Sequence, residues 1–286
     1  MTIPVKSLRN GFQMPVFGLG TWGMGGKDAP DRTHDKEDVA SIIRALDAGI
    51  THIDTAEKYG DGHAEELVGQ AIRGRDRSQL LIVSKVRKDH LEAENVLRSA
   101  HASLKRLGTD YLDLYLVHSF NPAVPIAETI GAMNRLVDEG LVRHIGLSNY
   151  HPENIEEAMR VSRHPIVAVQ LHYNLGYRDP ERRGLLAHAV KNDWMLVAWR
   201  PIRDVLAMNP LPDALMNIAK KYGKTPTQIA LNWLISQQNV VTLAKCGTKE
   251  HLDDALGALD WVMEPEDVEM LRSTFPESPE ATLQRP

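Results

Sequence analysis

The chain of 286 residues contains one cysteine, Cys246, so it can form no internal disulfide, and that shortage suits a reducing compartment, most simply the cytoplasm. Long apolar runs are missing as well. The longest, 194–199, is six residues against the roughly 20 that a membrane span needs, which excludes the membrane as a partner. The opening MTIPVKSLRN lacks the apolar segment of a secretory signal, so no export signal is expected. Concentrated positive charge is absent too: 33 Lys plus Arg stand against 38 Asp plus Glu, net −5, with the basic residues scattered. Nucleic acid is therefore not an expected partner, because its affinity rests on a dense basic footprint. None of the twelve histidines falls in an H-E-x-x-H or similar ligand spacing, and no metal site is expected. No Gly/Ser/Pro-rich linker divides the chain, which points to one domain over residues 1–286.

What the chain does have is a globular composition, 43% hydrophobic and 25% charged, and a repeating order. Eight short apolar runs occur at 16–20, 51–55, 80–86, 111–117, 142–148, 166–171, 194–199 and 240–244, separated by segments of helical pattern. Within 38–48, Val39, Ile42, Ile43 and Leu46 make an apolar stripe, and Gly49 stands where a helix stops. Within 93–107, Val96, Leu97, Ala100, Leu104 and Leu107 do the same before Gly108. The last interval carries two helical stretches, 213–222 and 227–236, so one helix there is extra. Residues 5–8 and 12–14 around Asn10-Gly11 read as a small hairpin ahead of the first unit. Eight strand-then-helix units favour a closed (β/α)8 TIM barrel with an N-terminal β-hairpin and extra helices over a doubly wound sheet. In such a barrel the chemistry lies at the C-terminal ends of the strands.

Gly18-Leu19-Gly20-Thr21-Trp22-Gly23 spells the G-x-G-x-x-G of a dinucleotide-binding turn. That motif must open directly into a helix whose N-terminus holds the pyrophosphate, but here the chain continues as loop through Pro30. These glycines are read instead as a flexible loop at the barrel mouth.

Four polar residues fall at or just past the ends of the second, third and fourth strands: Asp54, Tyr59, Lys85 and His118. Each has a structural reading of its own, as a loop cap, an aromatic plug, a snorkelling lysine and a core histidine respectively. Together they suit carbonyl reduction by hydride transfer, in which negative charge growing on oxygen must be met by a proton donor. A tyrosine hydroxyl, with an ordinary pKa of about 10, becomes a better acid beside an ammonium that stabilises its phenolate. Lys85 supplies that charge, Asp54 keeps Lys85 protonated, and a neutral His118 directs the carbonyl oxygen.

At these residues the sequence resembles the aldo-keto reductase superfamily. Gly49-Ile50-Thr51-His52-Ile53-Asp54-Thr55-Ala56 with Tyr59-Gly60, Ile82-Val83-Ser84-Lys85-Val86, and Leu112-Asp113-Leu114-Tyr115-Leu116-Val117-His118 are similar to the family's signatures and carry its catalytic tetrad in order. The resemblance implies an NADP(H) cofactor lying extended across the barrel mouth. It assigns Ser148, Asn149 and Gln170 to the carboxamide and Trp199 to the face of the nicotinamide. Gly20, Thr21, Trp22 and Asp54 come with them, as do Arg200, Pro201 and Ile202. Lys245, Cys246, Gly247 and Thr248 stand where the family grips the 2′-phosphate, with Lys249 and His251 beside them and Asp254 near the adenine. Cys246 replaces a usual serine there, and Asp254-Ala255 replaces a Glu-Asn pair.

Arg87 and Arg200 depart from the residues usual at their positions, and arginine favours bidentate recognition of anions. The expected substrate pocket, bounded by Trp22, Tyr59, Arg87, His118 and Phe120, then takes a small carbonyl compound bearing an anionic group. The competing expectation is that Arg87 pairs with a loop carboxylate and Arg200 with the cofactor. Two other functions fit the same residues: a Schiff-base aldolase with a neutral Lys85 as nucleophile, and a poorly catalytic NADPH-binding sensor subunit. The protein is expected to act as a monomer or weak homo-oligomer, and residues 275–286 either cover the pocket or hang free.

Overall fold

The computed structural model describes residues 2–275. Two short strands, β1 (Val5–Ser7) and β2 (Gln13–Pro15), pair antiparallel with Val5 opposite Pro15. Eight parallel strands follow: β3 (Phe17–Gly20), β4 (His52–Asp54), β5 (Leu81–Val86), β6 (Leu112–Val117), β7 (Val142–Ser148), β8 (Ile166–His172), β9 (Met195–Trp199) and β10 (Val240–Ala244). They close in chain order, β10 pairing back onto β3 with Thr242 opposite Phe17. The expected barrel with its leading hairpin is therefore present.

The helices between and after the strands are α1 (Asp35–Asp47), α2 (His63–Ile72), α3 (Ala93–Leu107), α4 (Ile126–Asp138), α5 (Pro152–Val161) and α6 (Asp179–Arg182). Then come α7 (Leu185–Asn192), α8 (Arg203–Leu206), α9 (Asp213–Tyr222), α10 (Pro226–Ile235), α11 (Lys249–Leu256) and α12 (Pro265–Thr274). Local chemistry sets several boundaries. The stripe on α3 is buried, and Gly108 ends the helix at φ 65, a left-handed cap that suits glycine. Thr225 and Gln228 close a reciprocal capping box at the start of α10, with Pro226 in its first turn. The long interval before β10 holds three helices rather than the expected two, because the single turn of α8 is too short to show a periodic stripe.

The hairpin closes one end of the barrel. Leu8, Phe12 and Met14 pack with Val83, Leu114, Val167, Met195 and Val241, whose side chains fill the interior. The second strand begins one residue later than the sequence suggests, because the Phe12 amide donates to Asn10 Oδ1 at 2.9 Å within the turn. Lys6 on the hairpin donates to the carbonyls of Ile235 at 2.7 Å and Val240 at 2.6 Å, which ties it to the C-terminus of α10.

No helix among the described residues is long and apolar enough to cross a membrane, and no acidic, histidine or cysteine cluster there could hold a metal ion. The glycine-rich segment after β3 runs as loop until α1 starts at Asp35, so it does not open directly into a helix. Its expected looseness is corrected by three hydrogen bonds. The Gly25 amide donates to Asp38 Oδ2 at 2.9 Å, Asp31 N to Gly25 O at 2.9 Å, and Gly60 N to Lys27 O at 2.7 Å. Gly25 has φ +65, and a Cβ there would lie 2.8 Å from the His63 ring, so close packing explains this glycine. The conformation of the C-terminal tail concerns residues 276–286, which lie outside the described residues.

Candidate active site

The open end of the barrel, at the C-terminal ends of the strands, holds a cavity of about 340 Å³. Asp54 ends β4, and the chain continues beside β5, with Thr55 N donating to Val83 O at 2.9 Å and Glu57 N to Lys85 O at 3.3 Å. This extension delivers Tyr59 to the cavity, where it opens a tight turn in which Gly60, Asp61 and Gly62 all have positive φ. Lys85 is on β5, and His118 follows β6 with its amide bonded to Val86 O at 2.9 Å. Three successive strand ends thus converge on one point.

Lys85 is fully buried at 0% exposure, and its ammonium has three partners. It donates to Asp54 Oδ1 at 2.6 Å, to Thr55 O at 2.8 Å and to Tyr59 Oη at 3.4 Å. Gln170 Nε2 donates to the other Asp54 oxygen at 2.9 Å. Burial works against the Lys85 charge, but Asp54 and Tyr59 outweigh it and raise the pKa above the ordinary lysine value. The lysine is therefore an ammonium. At Tyr59, burial raises the pKa, Lys85 opposes this, and the net direction is upward. The sequence expectation of an acidified phenol is corrected to this extent: the ammonium restrains a rise caused by desolvation rather than producing a fall.

His118 lies edge-on to Tyr59, ring centroids 5.5 Å apart, and Trp22 meets Tyr59 in the same manner at 5.0 Å. Burial first, then the charges of Lys85, Lys58 and Arg87, hold the His118 pKa well below the usual range. Its Nδ1 is buried without a partner. The ring is a neutral imidazole at ordinary pH.

Across the mouth, Ser148 ends β7, Asn149 follows it at φ 56, and Gln170 lies on β8; all three face the cavity. Asn149 is held by donation to His118 O at 3.1 Å and to Ser148 Oγ at 3.0 Å, and it accepts from Trp199 Nε1 at 3.3 Å. Trp199 stacks on His172, centroids 4.6 Å and planes 19° apart, and His172 stacks in turn on Tyr177. Arg200, Pro201 and Ile202 line the cavity beyond Trp199, as do Lys245 after β10 and Gly20 at the end of β3. Arg200 has φ 55, unusual for a residue with a side chain, and its guanidinium lies 4.8 Å from the Trp199 ring centre. Lys245 Nζ donates to Gly23 O at 3.2 Å.

Other residues singled out in the sequence lie away from the cavity lining. Thr21 is buried, with its hydroxyl on Asp54 O at 3.0 Å. Arg87 turns to Asp89 at 2.7 Å and Asp61 at 3.2 Å, so its charge is matched by loop carboxylates; Phe120 packs against Tyr150 at 5.5 Å. Neither residue lines the cavity, and for Arg87 the pairing is the competing expectation, a loop carboxylate. Cys246 is buried, which pushes its thiol up to about 11, and its carbonyl accepts from Ser41 at 2.7 Å. Gly247 precedes Thr248, which caps α11 by accepting from His251 N at 3.2 Å. Lys249 pairs with Asp253 at 2.5 Å, and Asp254 accepts from Thr225 at 2.7 Å. Sequence reasoning missed Lys58, Arg203, Leu243 and Ala244, which do line the cavity. The available signals were adjacency of Lys58 to Tyr59, of Arg203 to Ile202 and of Ala244 to Lys245, and the place of Leu243 near the end of the last apolar run.

The cavity lining carries four cations, Lys58, Arg200, Arg203 and Lys245, and one carboxylate, Asp54, already neutralised by Lys85. On the side of β9 and β10, where Arg200, Arg203 and Lys245 stand, such an imbalance fits a phosphate-bearing dinucleotide. Carboxamide and hydroxyl groups around a flat indole, beside a phenol and a neutral imidazole, fit its nicotinamide end.

The family model for the Aldo/keto reductase family matches residues 16–275. Methylglyoxal reductase YeaE of Escherichia coli (strain K12) is 33% identical over 267 residues, covering 92% of this chain and 92% of that protein. Among solved structures, the thermostable aldo-keto reductase Tm1743, in complex with the inhibitor epalrestat, superposes with a TM-score of 0.92 at 46% identity, covering 95% of this chain and 100% of that one. An aldo-keto reductase from Klebsiella pneumoniae in complex with NADPH gives a TM-score of 0.87 at 34% identity, with 99% and 98% covered.

Proposed function

The chain belongs to the aldo/keto reductase family, and from that premise we propose that it reduces aldehyde or ketone carbonyls to alcohols with NADPH, using Tyr59 as the general acid. One observation carries the assignment: a buried ammonium, Lys85 Nζ, lies 2.6 Å from Asp54 and 3.4 Å from a tyrosine hydroxyl that opens onto the cavity. In the reduced cofactor, when bound, the nicotinamide supplies a hydride to the carbonyl carbon. Ser148, Asn149 and Gln170 would hold its carboxamide and Trp199 its ring; Arg200, Pro201, Ile202 and Lys245, with Thr248 and His251 nearby, would hold its phosphate-bearing remainder.

His118, kept neutral, donates a hydrogen bond to the substrate oxygen and fixes its direction. Tyr59 Oη gives its proton to that oxygen as negative charge grows there. The phenolate left behind is stabilised by Lys85, and Asp54 and Thr55 O hold the ammonium in place through the transfer. Charge thus moves from the substrate oxygen to a site already built to receive it.

The aldolase reading requires a neutral lysine, and Lys85 is held charged, so that reading is set aside. The sensor reading finds no support, since the curated relatives are named as reductases. We propose further that residues 1–286 act as one domain, in the cytoplasm, as a monomer or weak homo-oligomer. The direct test is consumption of NADPH with a panel of simple aldehydes, paired with borohydride treatment. Turnover without a trapped lysine adduct is expected; an adduct without NADPH turnover rejects the assignment.

A further inference from the structure

We propose that Lys58 selects carbonyl substrates bearing a carboxylate, by placing an unmatched ammonium on the substrate side of the cavity. The inference rests on the reductase reading of the same site. Of the four lining cations, Arg200 and Arg203 follow β9 and Lys245 follows β10, on the side assigned to the cofactor. Lys58 stands apart from them. It immediately precedes Tyr59 and shares the lining with Trp22, Tyr59 and His118, the groups that surround the reacting carbonyl.

The carboxylates near Lys58 in sequence are engaged elsewhere. Glu57 Oε1 accepts from the Arg87 amide at 2.7 Å and lies 3.3 Å from His90 Nδ1. Asp61 pairs with Arg87 at 3.2 Å. The one carboxylate in the cavity lining, Asp54, is shared between Lys85 and Gln170. Among the described residues the Lys58 ammonium consequently has neither an ion pair nor a hydrogen bond, although the residue is half-buried. The tight turn that follows, with three successive positive φ values at Gly60, Asp61 and Gly62, sets the direction in which the chain leaves Lys58. The charge is felt at the reaction centre, since it is among those that disfavour protonated His118.

A compact ammonium is a good partner for a single carboxylate, and a partly dehydrated setting strengthens the attraction. Neutral carbonyl compounds gain nothing from it. Arg87, which the sequence offers for this task beside the alternative of a loop ion pair, spends its charge on Asp61 and Asp89. The arrangement therefore moves anion preference from Arg87 to Lys58.

The test compares 4-carboxybenzaldehyde with its neutral methyl ester in the wild type, Lys58→Met and Lys58→Arg, with NADPH as cofactor. Lys58→Met should lower kcat/KM for the acid about tenfold, as expected for a lost charge-assisted hydrogen bond, while the ester changes about twofold or less. Lys58→Arg should restore most of the acid's rate, and the KM for NADPH should stay level in both variants. Wild-type kcat/KM for the acid should also fall with added salt, and that dependence should weaken in Lys58→Met. Equal losses for acid and ester, no loss for either, or a raised KM for NADPH would each overturn the inference while leaving the reductase reading intact. Failure of the wild type to oxidise NADPH with either aldehyde would instead overturn the reductase reading and this inference with it.

Discussion

On strands β4 and β5 the two buried charges of the site, Asp54 and Lys85, neutralise each other in the interior, whereas on the β9 and β10 side Arg200, Arg203 and Lys245 face the cavity without a carboxylate partner. That buried pair is complete before any ligand arrives, whereas the three rim cations leave a positive field that no carboxylate of the lining matches. Catalytic groups must hold one geometry through a proton transfer, and internal pairing provides that. Groups that recruit a phosphate work better when nothing inside the protein competes for them.

Substitutions at the two regions should therefore fail differently. Tyr59→Phe should lower kcat by about a hundredfold to ten-thousandfold, the range for loss of a general acid, with NADPH affinity by fluorescence titration almost unchanged. A variant that keeps its rate removes Tyr59 as proton donor. Lys85→Met leaves Asp54 buried without a counter-charge, so urea denaturation should show a loss of about 3 to 5 kcal/mol. Adding Asp54→Asn should recover part of that stability and none of the activity, which separates the cost of an unpaired charge from the cost to chemistry. At the rim, Lys245→Met should raise the KM for NADPH about tenfold, shift kcat little and leave folding stability unaltered. A large stability loss there would erase the contrast between the two regions. Smallest should be the pH effect. Tyr59 is raised, so it stays protonated to higher pH, and His118 is lowered, so it stays neutral to lower pH. The reduction rate should then be level across the neutral range, with no inflection near the ordinary histidine pKa of about 6.5. An inflection there would show that His118 titrates.

The barrel was legible in the sequence because its signals are local. Apolar runs such as 142–148 and 240–244 coincide with β7 and β10, and the α3 stripe ends at the glycine that stops it. Asp54, Lys85 and His118 were legible because a polar residue at the end of an apolar strand is conspicuous. The choice for Arg87 between the pocket and a loop carboxylate stays open in the sequence because Asp61 and Asp89 lie on two loops whose paths no periodicity reveals. Lys58 was passed over for a related reason: the turn beside it depends on positive φ at consecutive residues, one of them an aspartate. The direction of the Tyr59 pKa escaped because charge proximity can be guessed from a motif, whereas the depth of burial is a property of the assembled fold.

The strands of the barrel form a ring, so each has both flanks occupied. The only open flanks among the described residues belong to the two hairpin strands, three residues apiece. A neighbouring chain finds almost no ledge of spare amides and carbonyls on which to lay a strand. Strand-to-strand pairing between copies is thereby confined to the hairpin edges, and the rest of the described outer surface offers only helices and loops.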